Sequence, residues 1–476
     1  MVTKKYIISL LIMSFLLPFS VSARTFNPSY IISDEEILDP YSMTLEEIKQ
    51  FLDRKGGYLA TYQCANPEGK MMSTAEVIHD RAVTNKVNPK FIIVLLQKEQ
   101  SLIESKNPKQ SQLDWATGYG CPDSAACNTR WKGLWKQINS ASLQFRDYMD
   151  NPHLYTYKAG QTYTFTNPYG TIKNEPMTVT PVNQATAALY NYTPHVYNGD
   201  YNFFNIWQRY FAKSYPDGSL LQAKGEPGIW LIKNGVKRAF HSKGALTSRY
   251  DMNKVITVNK SDLDKYDTGK PIKYAQYSVV RSPKGTIYLL IDDTKRGFAS
   301  GEAFKKIGIN PEELIDVSWD DLDNYLEGAP ITATSTYPTG ALLQDNKTGG
   351  VFWVIDGTKS PVWDAVFLKT KFKSKKIISV AGAELAKMST VVPVRFDDGE
   401  LLKTPSSAGV YVISENKKRL IGSGEIFLGL GYKWNNILTV SDKVLNLYEE
   451  GDPIIDLLGN TPDNASDAEA NVSTSL

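Results

Sequence analysis

Three textures of hydrophobic and polar positions follow one another along the chain. Behind Lys4 and Lys5, the run Ile7 to Phe19 is apolar except for Ser9, Ser14 and Pro18. Val21-Ser22-Ala23 then offers a small-x-small cleavage site. This pattern predicts a secretory signal peptide over 1–23. The competing reading, a retained anchor, is weakened by a run too short for a spanning helix. No later stretch is apolar for the roughly 18 residues a span needs, so no integral membrane span is expected after cleavage. No Cys follows the cleavage site to carry a lipid.

Residues 24–215 carry mostly helical periodicity. Thr44-x-x-Glu47 and Ser73-x-x-Glu76 are capping-box patterns ahead of apolar stripes. Asn88-Pro89 pairs an N-cap residue with proline at the first helical position. Another helix is expected from about Arg130 to Met149, where Trp131, Leu134, Trp135, Ile138 and Phe145 recur at helical spacing. Tyr155 to Val179 is Thr- and Tyr-rich, alternates, and contains Gly160 and Asn167-Pro168, so short strands are expected there. Helix returns at Asn183 to Tyr190 and around Phe203 to Phe211.

The third texture repeats. Ile229-Trp230-Leu231-Ile232, Ile287-Tyr288-Leu289-Leu290, Phe352-Trp353-Val354-Ile355 and Val410-Tyr411-Val412-Ile413 align as four apolar strands. Lys237-Arg238, Lys295-Arg296 and Lys418-Arg419 follow three of them, and Lys359-Ser360 the other. Pro271, Pro330, Pro393 and Pro453 close the units at intervals of 59, 63 and 60 residues. The expected architecture is therefore a mainly helical α+β domain followed by four tandem strand-rich α+β repeats of about 60 residues, over 217–272, 277–331, 340–394 and 399–454. The segment 456–476 is polar, acidic and free of Lys and Arg, so a disordered tail is expected.

Composition narrows the chemistry. With 53 Lys plus Arg against 51 Asp plus Glu in 476 residues, the net charge of +2 argues against a nucleic-acid binder. Three Cys and four His exclude a dense disulfide scaffold and a multi-zinc protein. His79, His153, His195 and His241 are scattered without metal-ligand spacing, so neither metal nor cofactor is expected. No complete G-x-S-x-G elbow, phosphate-binding loop or dinucleotide fingerprint occurs. The Lys-Arg pairs read as solvated strand edges; a repeated basic spot could also grip an anionic wall polymer.

One carboxylate stands out. Phe91 to Leu96 is apolar all round, which predicts a buried helix over Pro89 to Glu104. At 100° per residue, Ile92, Leu95, Leu96, Glu99, Leu102 and Ile103 share one face, so Glu99 sits within an apolar stripe. A carboxyl forced into low dielectric favours its protonated form, the property of a general acid. The alternative is a buried ion pair with a Lys or Arg from elsewhere.

Leu95-Leu96-Gln97-Lys98-Glu99-Gln100-Ser101-Leu102, followed by Ala116-Thr117-Gly118-Tyr119-Gly120-Cys121-Pro122-Asp123, resembles secreted bacterial envelope proteins, actinobacterial ones among them, with an N-terminal domain of the lysozyme-like superfamily. Phe26-Asn27-Pro28, Ile31-Ile32-Ser33, Asn183 to Pro194 and Phe204 to Phe211 carry the same resemblance, which covers about 190 residues. More distantly it is similar to lytic transglycosylases and glucosaminidases. The resemblance implies a lysozyme-like domain acting on peptidoglycan or another cell-wall glycan, with Glu99 as catalytic acid and base. Ser101 lies two positions beyond Glu99, where the transglycosylase pattern places Ser directly after, and Thr117 to Gly120 matches the Gly-rich turn loosely. Tyr190 and Asn191 would match the late Tyr/Asn element. A hydrolase also needs a second carboxylate; Asp114 and Asp123 are the candidates, Asp123 equally readable as a turn residue. Trp115, Tyr119, Tyr190 and Tyr192 could line the sugar cleft or belong to the core.

Cys121 and Cys127 stand six apart and could close a small loop, leaving Cys64 free; Cys64 could instead pair with one of them. The expectation is a secreted or envelope-bound glycosidase whose repeats bind the envelope. Its rival is a non-catalytic adhesin or glycan-binding protein on the same fold. The repeats could also be a spacer or a closed, propeller-like unit.

Overall fold

The computed structural model describes residues 26–122, 125–165 and 176–458. The expected signal peptide (1–23) and most of the expected tail (456–476) lie outside the described residues.

The first half is a helical domain built on local signals. Its helices are α1 (Asp34–Ile37), α2 (Leu45–Lys55), α3 (Thr74–Asn85), α4 (Pro89–Gln100), α5 (Gln110–Asp114), α6 (Leu134–Asp150), α7 (Gln184–Tyr192) and α8 (Tyr201–Phe211). Reciprocal capping boxes open α2 (Thr44/Glu47) and α3 (Ser73/Glu76), as their spacing predicts, and a further one opens α1 (Ser33/Glu36). Two short antiparallel strand pairs, Gln63–Ala65 with Met71–Ser73 and Tyr163–Phe165 with Met177–Val179, also belong to the domain. The second supplies the strands expected in the Thr- and Tyr-rich stretch.

Helix α4 is the spine of the core. Asn88 Oδ1 accepts from Lys90 N at 2.8 Å, Pro89 occupies the first turn, and Phe91 to Leu96 are all buried. Phe91 meets Phe145 edge-on at 4.5 Å and Phe203 at 5.2 Å, tying α4 to α6 and α8. Burial of each such side chain contributes roughly 1.5–3 kcal/mol.

The helix ends earlier than its apolar pattern predicts. Ser101 takes a left-handed conformation (φ 55°) and terminates α4 after Gln100. The Gln97 side chain then accepts from Ile103 N (3.0 Å) and Glu104 N (3.2 Å), so the chain can turn without stranding those donors. Leu102 and Ile103 are still buried, but from the turn and not from the helix face. Glu99 is consequently next to the last residue of α4 and not in mid-stripe.

The repeats fold as four similar five-stranded mixed sheets. In the first, the order is Ile256–Val258, Leu220–Ala223, Ile229–Lys233, Val236–Ala239, Asp267–Thr268: an antiparallel three-strand meander with a parallel strand on each edge. The central hairpins turn through residues with positive φ, such as Asn234 (52°) and Gly235 (71°), Asp356 (45°) and Gly357 (78°), and Glu415 (54°) and Asn416 (57°). Such two-residue turns match the twist of antiparallel strands.

The array closes on itself. Leu221, Ile232 and Ile256 of the first unit share one core with Leu401, Val412 and Phe427 of the fourth. Lys254 pairs with Glu400 at 2.5 Å, and Asp217 N donates to Ser414 Oγ at 3.0 Å. The closing seam demands glycine: a Cβ on Gly218 (φ 89°) would lie 2.0 Å from the Asp398 carbonyl carbon.

The Lys-Arg pairs are not solvated edges. Lys237, Arg296 and Lys418 are buried. Lys237 Nζ donates to Leu263 O and to Asp264, inside its own unit. Arg238 reaches Asp293 in the next unit at 2.8 Å, and Arg296 reaches Asp356 in the one after. Ser360 of the third unit cannot make this reach. The seam to the fourth unit is held by Phe367 stacked on Phe396 at 4.2 Å and by Lys371 with Asp397 at 2.6 Å. Long aliphatic stems and paired heads explain why the pattern looked like a surface in sequence: the pairing is visible only once the units meet.

The helical domain is docked on this ring. Lys213 N donates to Asp262 at 2.7 Å, Lys213 Nζ to Gly429 O at 2.6 Å, and Ser261 Oγ to the buried Glu36.

Candidate active site

Glu99 lies at the end of α4, where three segments converge. Its side chain is 22 % exposed, so it is not sealed in the core as the stripe predicts. Oε1 accepts from Lys98 Nζ at 2.6 Å. The basic partner is therefore its chain neighbour and not a residue from elsewhere. Lys98 is itself 5 % exposed and also donates to Thr193 Oγ1 at 2.8 Å, just beyond α7.

The Gly-rich turn is the second segment. A Cβ on Gly118 (φ 73°) would lie 3.5 Å from Glu99 Oε2, so this turn passes directly beside the carboxylate. Gln137, fully buried on α6, pins it: Oε1 accepts from Thr117 N (3.2 Å), Thr117 Oγ1 (3.0 Å) and Tyr119 N (3.1 Å), and Nε2 donates to Tyr119 O and Trp131 O, both at 2.9 Å. Gln137 was missed in the sequence, where its signal is a single amide between the apolar positions Leu134 and Ile138. Beyond it, Tyr119 meets Trp131 edge-on at 5.4 Å, and the Arg130 guanidinium lies 4.7 Å from the Trp131 ring. Half-buried aromatic faces of this kind suit a sugar ring.

The third segment follows α7. Tyr192 donates from its hydroxyl to Thr117 O at 2.7 Å. Burial, and then the neighbouring Glu99 carboxylate, push that hydroxyl well above its ordinary value. A five-residue π turn, Val196–Asp200, leads into α8. Asp200 ends it and is 0 % exposed, and neither carboxyl oxygen has a hydrogen-bond partner. Burial pushes this carboxyl well above the usual range; the Lys98 ammonium pulls it down and the Glu99 carboxylate pushes it further up. In sequence, Asn-Gly-Asp before an aromatic run reads as an N-cap, yet Asp200 makes no side-chain cap bond.

The other expected residues are dispersed. Asp114 pairs with Lys132 (3.1 Å) and accepts from Gln110 (3.0 Å). Asp123 lies outside the described residues. Ser101 is exposed and serves as the helix terminator. Trp115 is half-buried, and its carbonyl accepts from Gly118 N at 2.9 Å, which closes the Gly-rich turn. Tyr190 is core: it is fully buried, stacks on Phe165 at 4.3 Å and donates to Pro28 O at 2.9 Å. Asn191 brackets Tyr157, accepting from its N at 3.0 Å and donating to its O at 2.7 Å. Cys121 and Cys127 form a disulfide beside the turn, and Cys64 is a half-buried free thiol. Among the described residues there is no group of three or more His, Cys, Asp or Glu placed to hold a metal ion, and no helix long and apolar enough to cross a membrane.

Residues 30–223 match the family profile described as LasA, N-terminal domain. No curated protein matches the chain. Among solved structures, the periplasmic assembly of the ESX-5 inner membrane complex is similar at 9 % identity and TM-score 0.13, over 49 % of this chain and 93 % of that one. The EccB3 dimer of the ESX-3 core complex is similar at 10 % identity and TM-score 0.14, over 49 % and 98 %. Likenesses of that order fix neither fold nor function.

Proposed function

We propose that the helical domain is a peptidoglycan-cleaving glycosidase, exported by the leader over 1–23 and held at the cell envelope by the ring of repeats. The observation that carries this reading is the placement of Glu99, part-exposed at a helix end, with Oε2 against the Gly118 turn and an aromatic rim beyond it. The disulfide supports an oxidising compartment. The profile match spans the same domain.

In this mechanism the Glu99 carboxyl donates its proton to the glycosidic oxygen as the C1–O bond breaks. The resulting carboxylate then takes a proton from the attacking hydroxyl. Asp114 is committed to Lys132, and Asp200 is sealed from solvent. Among the described candidates neither presents a free second carboxylate, and attack by the sugar's own 6-hydroxyl needs none. The rival, a non-catalytic glycan-binding domain, draws on one observation: Glu99 Oε1 is already engaged by Lys98 Nζ at 2.6 Å.

The test is incubation of the mature chain with purified peptidoglycan and mass spectrometry of the released muropeptides. Anhydro ends are expected; new reducing ends would indicate a hydrolase. Absence of release overturns the proposal in favour of the binding protein; equal release by Glu99→Gln overturns the role given to Glu99.

A further inference from the structure

A cavity of about 660 Å3 lies where the helical domain docks on the ring. That volume falls within the roughly 300–1,000 Å3 of small-molecule sites. Helix α1 and the turn after it supply Asp34, Glu35 and Asp39; the first turn of α4 supplies Lys90; α8 supplies Trp207 and Phe211. Lys224 and Ser261 of the first ring unit line it from the other side. Lys90 precedes Glu99 by nine positions in α4, which is about two and a half turns, or roughly 14 Å along the axis. The two side chains therefore leave opposite faces of the helix, and the cavity is separate from the Glu99 site.

The fold does not use up the charges in this cavity. The Lys90 ammonium has the Phe211 ring at 5.7 Å but, among the described residues, neither a hydrogen bond nor a carboxylate within 4.0 Å. Trp207 is 4 % exposed, and its indole N–H is buried without an acceptor. Such orphans need an explanation. On the acidic side, Asp34 accepts from Ala185 N at 2.7 Å and Asp39 from Tyr41 N at 3.2 Å. None of Asp34, Glu35 and Asp39 has a basic side chain within 4.0 Å among the described residues. Glu36, on the same helix, differs: it accepts from Ser33 and from Ser261 of the ring, and so joins the domains. Burial pushes the Asp34 carboxyl above its ordinary value and the Lys90 ammonium below its own, as expected of charges that lose water without gaining a partner.

Opposite charges thus line one cavity and are kept apart in it. A ligand of single charge satisfies one side and leaves the other unpaired. A ligand with a carboxylate at one end and an ammonium at the other satisfies both, and an aliphatic or amide middle suits the Trp207 and Phe211 rings. We propose that this interdomain cavity binds a short zwitterionic peptide, its carboxylate against Lys90 and its ammonium against Asp34, Glu35 and Asp39. The source is the stem peptide carried by the glycan strands of peptidoglycan, an assignment that rests on the glycosidase reading above. The cavity then holds wall peptide on one side of α4 while Glu99 meets glycan on the other. Because both domains line the cavity, the bound peptide also braces the helical domain against the first ring unit.

The probe is a synthetic, N-acetylated tetrapeptide with a diamino acid at its third position, free at the side-chain amine and at the C-terminal carboxylate. It is titrated into the mature chain by calorimetry, beside one form amidated at the C terminus and one acetylated at the side-chain amine. Wild type is expected to bind the uncapped peptide, and either capped form about ten- to a hundredfold more weakly. These arms test both charges on the wild-type chain, independent of folding in any variant. Lys90→Met keeps the aliphatic stem and removes the ammonium; it is expected to weaken binding of the uncapped peptide by a similar factor, and Lys90→Arg to recover most of it. Glu35→Gln combined with Asp39→Asn is expected to weaken the uncapped peptide and to leave the amine-acetylated form unchanged. Absence of binding by wild type, or equal binding of the capped forms, or equal binding by Lys90→Met, overturns the proposal. The probe has no glycosidic bond, so the two readings fail separately. Binding without muropeptide release leaves the peptide site standing and overturns the glycosidase; release without binding does the reverse.

Discussion

The ring and the helical domain both bury charge, and they treat it in opposite ways. In the ring, Arg296 donates to Ala329 O, Pro338 O and Asp356, and Lys237 to Leu263 O and Asp264. Each buried head is met by carbonyls and a carboxylate, and the arrangement recurs from unit to unit. In the helical domain, Lys98 and Glu99 pair at 2.6 Å, yet both carboxyl oxygens of Asp200 are left without a hydrogen bond. A satisfied buried charge serves as a structural staple. An unsatisfied one is costly, and persists where its unused capacity has a function. Single buried charged atoms without a partner occur in the ring too, at Asp356 Oδ1, Glu400 Oε2 and Arg249 Nη2, but each of those groups is paired through another atom, whereas both oxygens of the Asp200 carboxyl lack a partner.

The largest effect that can break this contrast is on activity. Glu99→Gln should lower muropeptide release by about a hundred- to ten-thousandfold with an unchanged thermal midpoint, since a part-exposed amide replaces a part-exposed acid. Arg296→Ala should do the reverse. It leaves Asp356 without its partner and should cost about 2 kcal/mol, below the usual penalty for a fully buried pair because Asp356 is a quarter exposed. Release per folded molecule should not change. Loss of activity in Arg296→Ala without loss of stability, measured by urea titration, would mean that the ring takes part in the chemistry.

A similarly steep structural effect is expected at Gly218, where the ring closes. Its φ of 89° and the 2.0 Å approach of Asp398 to any Cβ leave alanine no place. Gly218→Ala should cost about 2–4 kcal/mol, the range of backbone strain combined with overpacking. The docking contacts of Lys213 with Asp262 and Gly429 join the helical domain to both the first and fourth units. Opening the seam should therefore also raise proteolysis between the helical domain and the ring. Wild-type stability in Gly218→Ala would show that ring closure contributes nothing.

What could be read from the sequence divides along the same line as local and long-range physics. The Thr44/Glu47 and Ser73/Glu76 boxes, the Asn88-Pro89 start and the four apolar strands are set within a few residues, and the structure shows each of them. The end of α4 was overrun because Leu102 and Ile103 keep the apolar period after the helix has stopped; the stop depends on Ser101 φ and on Gln97 folding back. Ring closure, the Arg238–Asp293 and Arg296–Asp356 links and the Gln137 clamp join residues 18 to 197 positions apart and leave no periodic trace. At the site, Glu99 and the Gly118 turn were visible as motifs. Asp200 was not, because an aspartate before a helix ordinarily caps it.

The smallest effects sharpen the contrast most, because they differ in sign. Asp321 of the ring accepts from Lys273 Nζ at 2.5 Å and from Ser318, and the Lys273 hydrogen bond foremost holds its carboxyl down to about 2. Unfolded aspartate ionises near 3.9. Between those values the unfolded chain binds more protons, so Asp321 contributes stability above about pH 4 and loses it as the pH falls toward 2. Asp200 is displaced upward by burial, so above the unfolded value the folded chain keeps a proton that the unfolded chain has released. Its contribution is greatest at acid pH and declines as the pH rises toward its folded value. Urea midpoints from pH 3 to 7 should therefore show Asp321→Asn losing up to about 1 kcal/mol at neutral pH, with the deficit shrinking in acid. Asp200→Asn should gain stability at neutral pH and match wild type near pH 4. Curves of the same sign would dissolve the distinction between a carboxyl held down by its ion pair and one pushed up by burial without a partner.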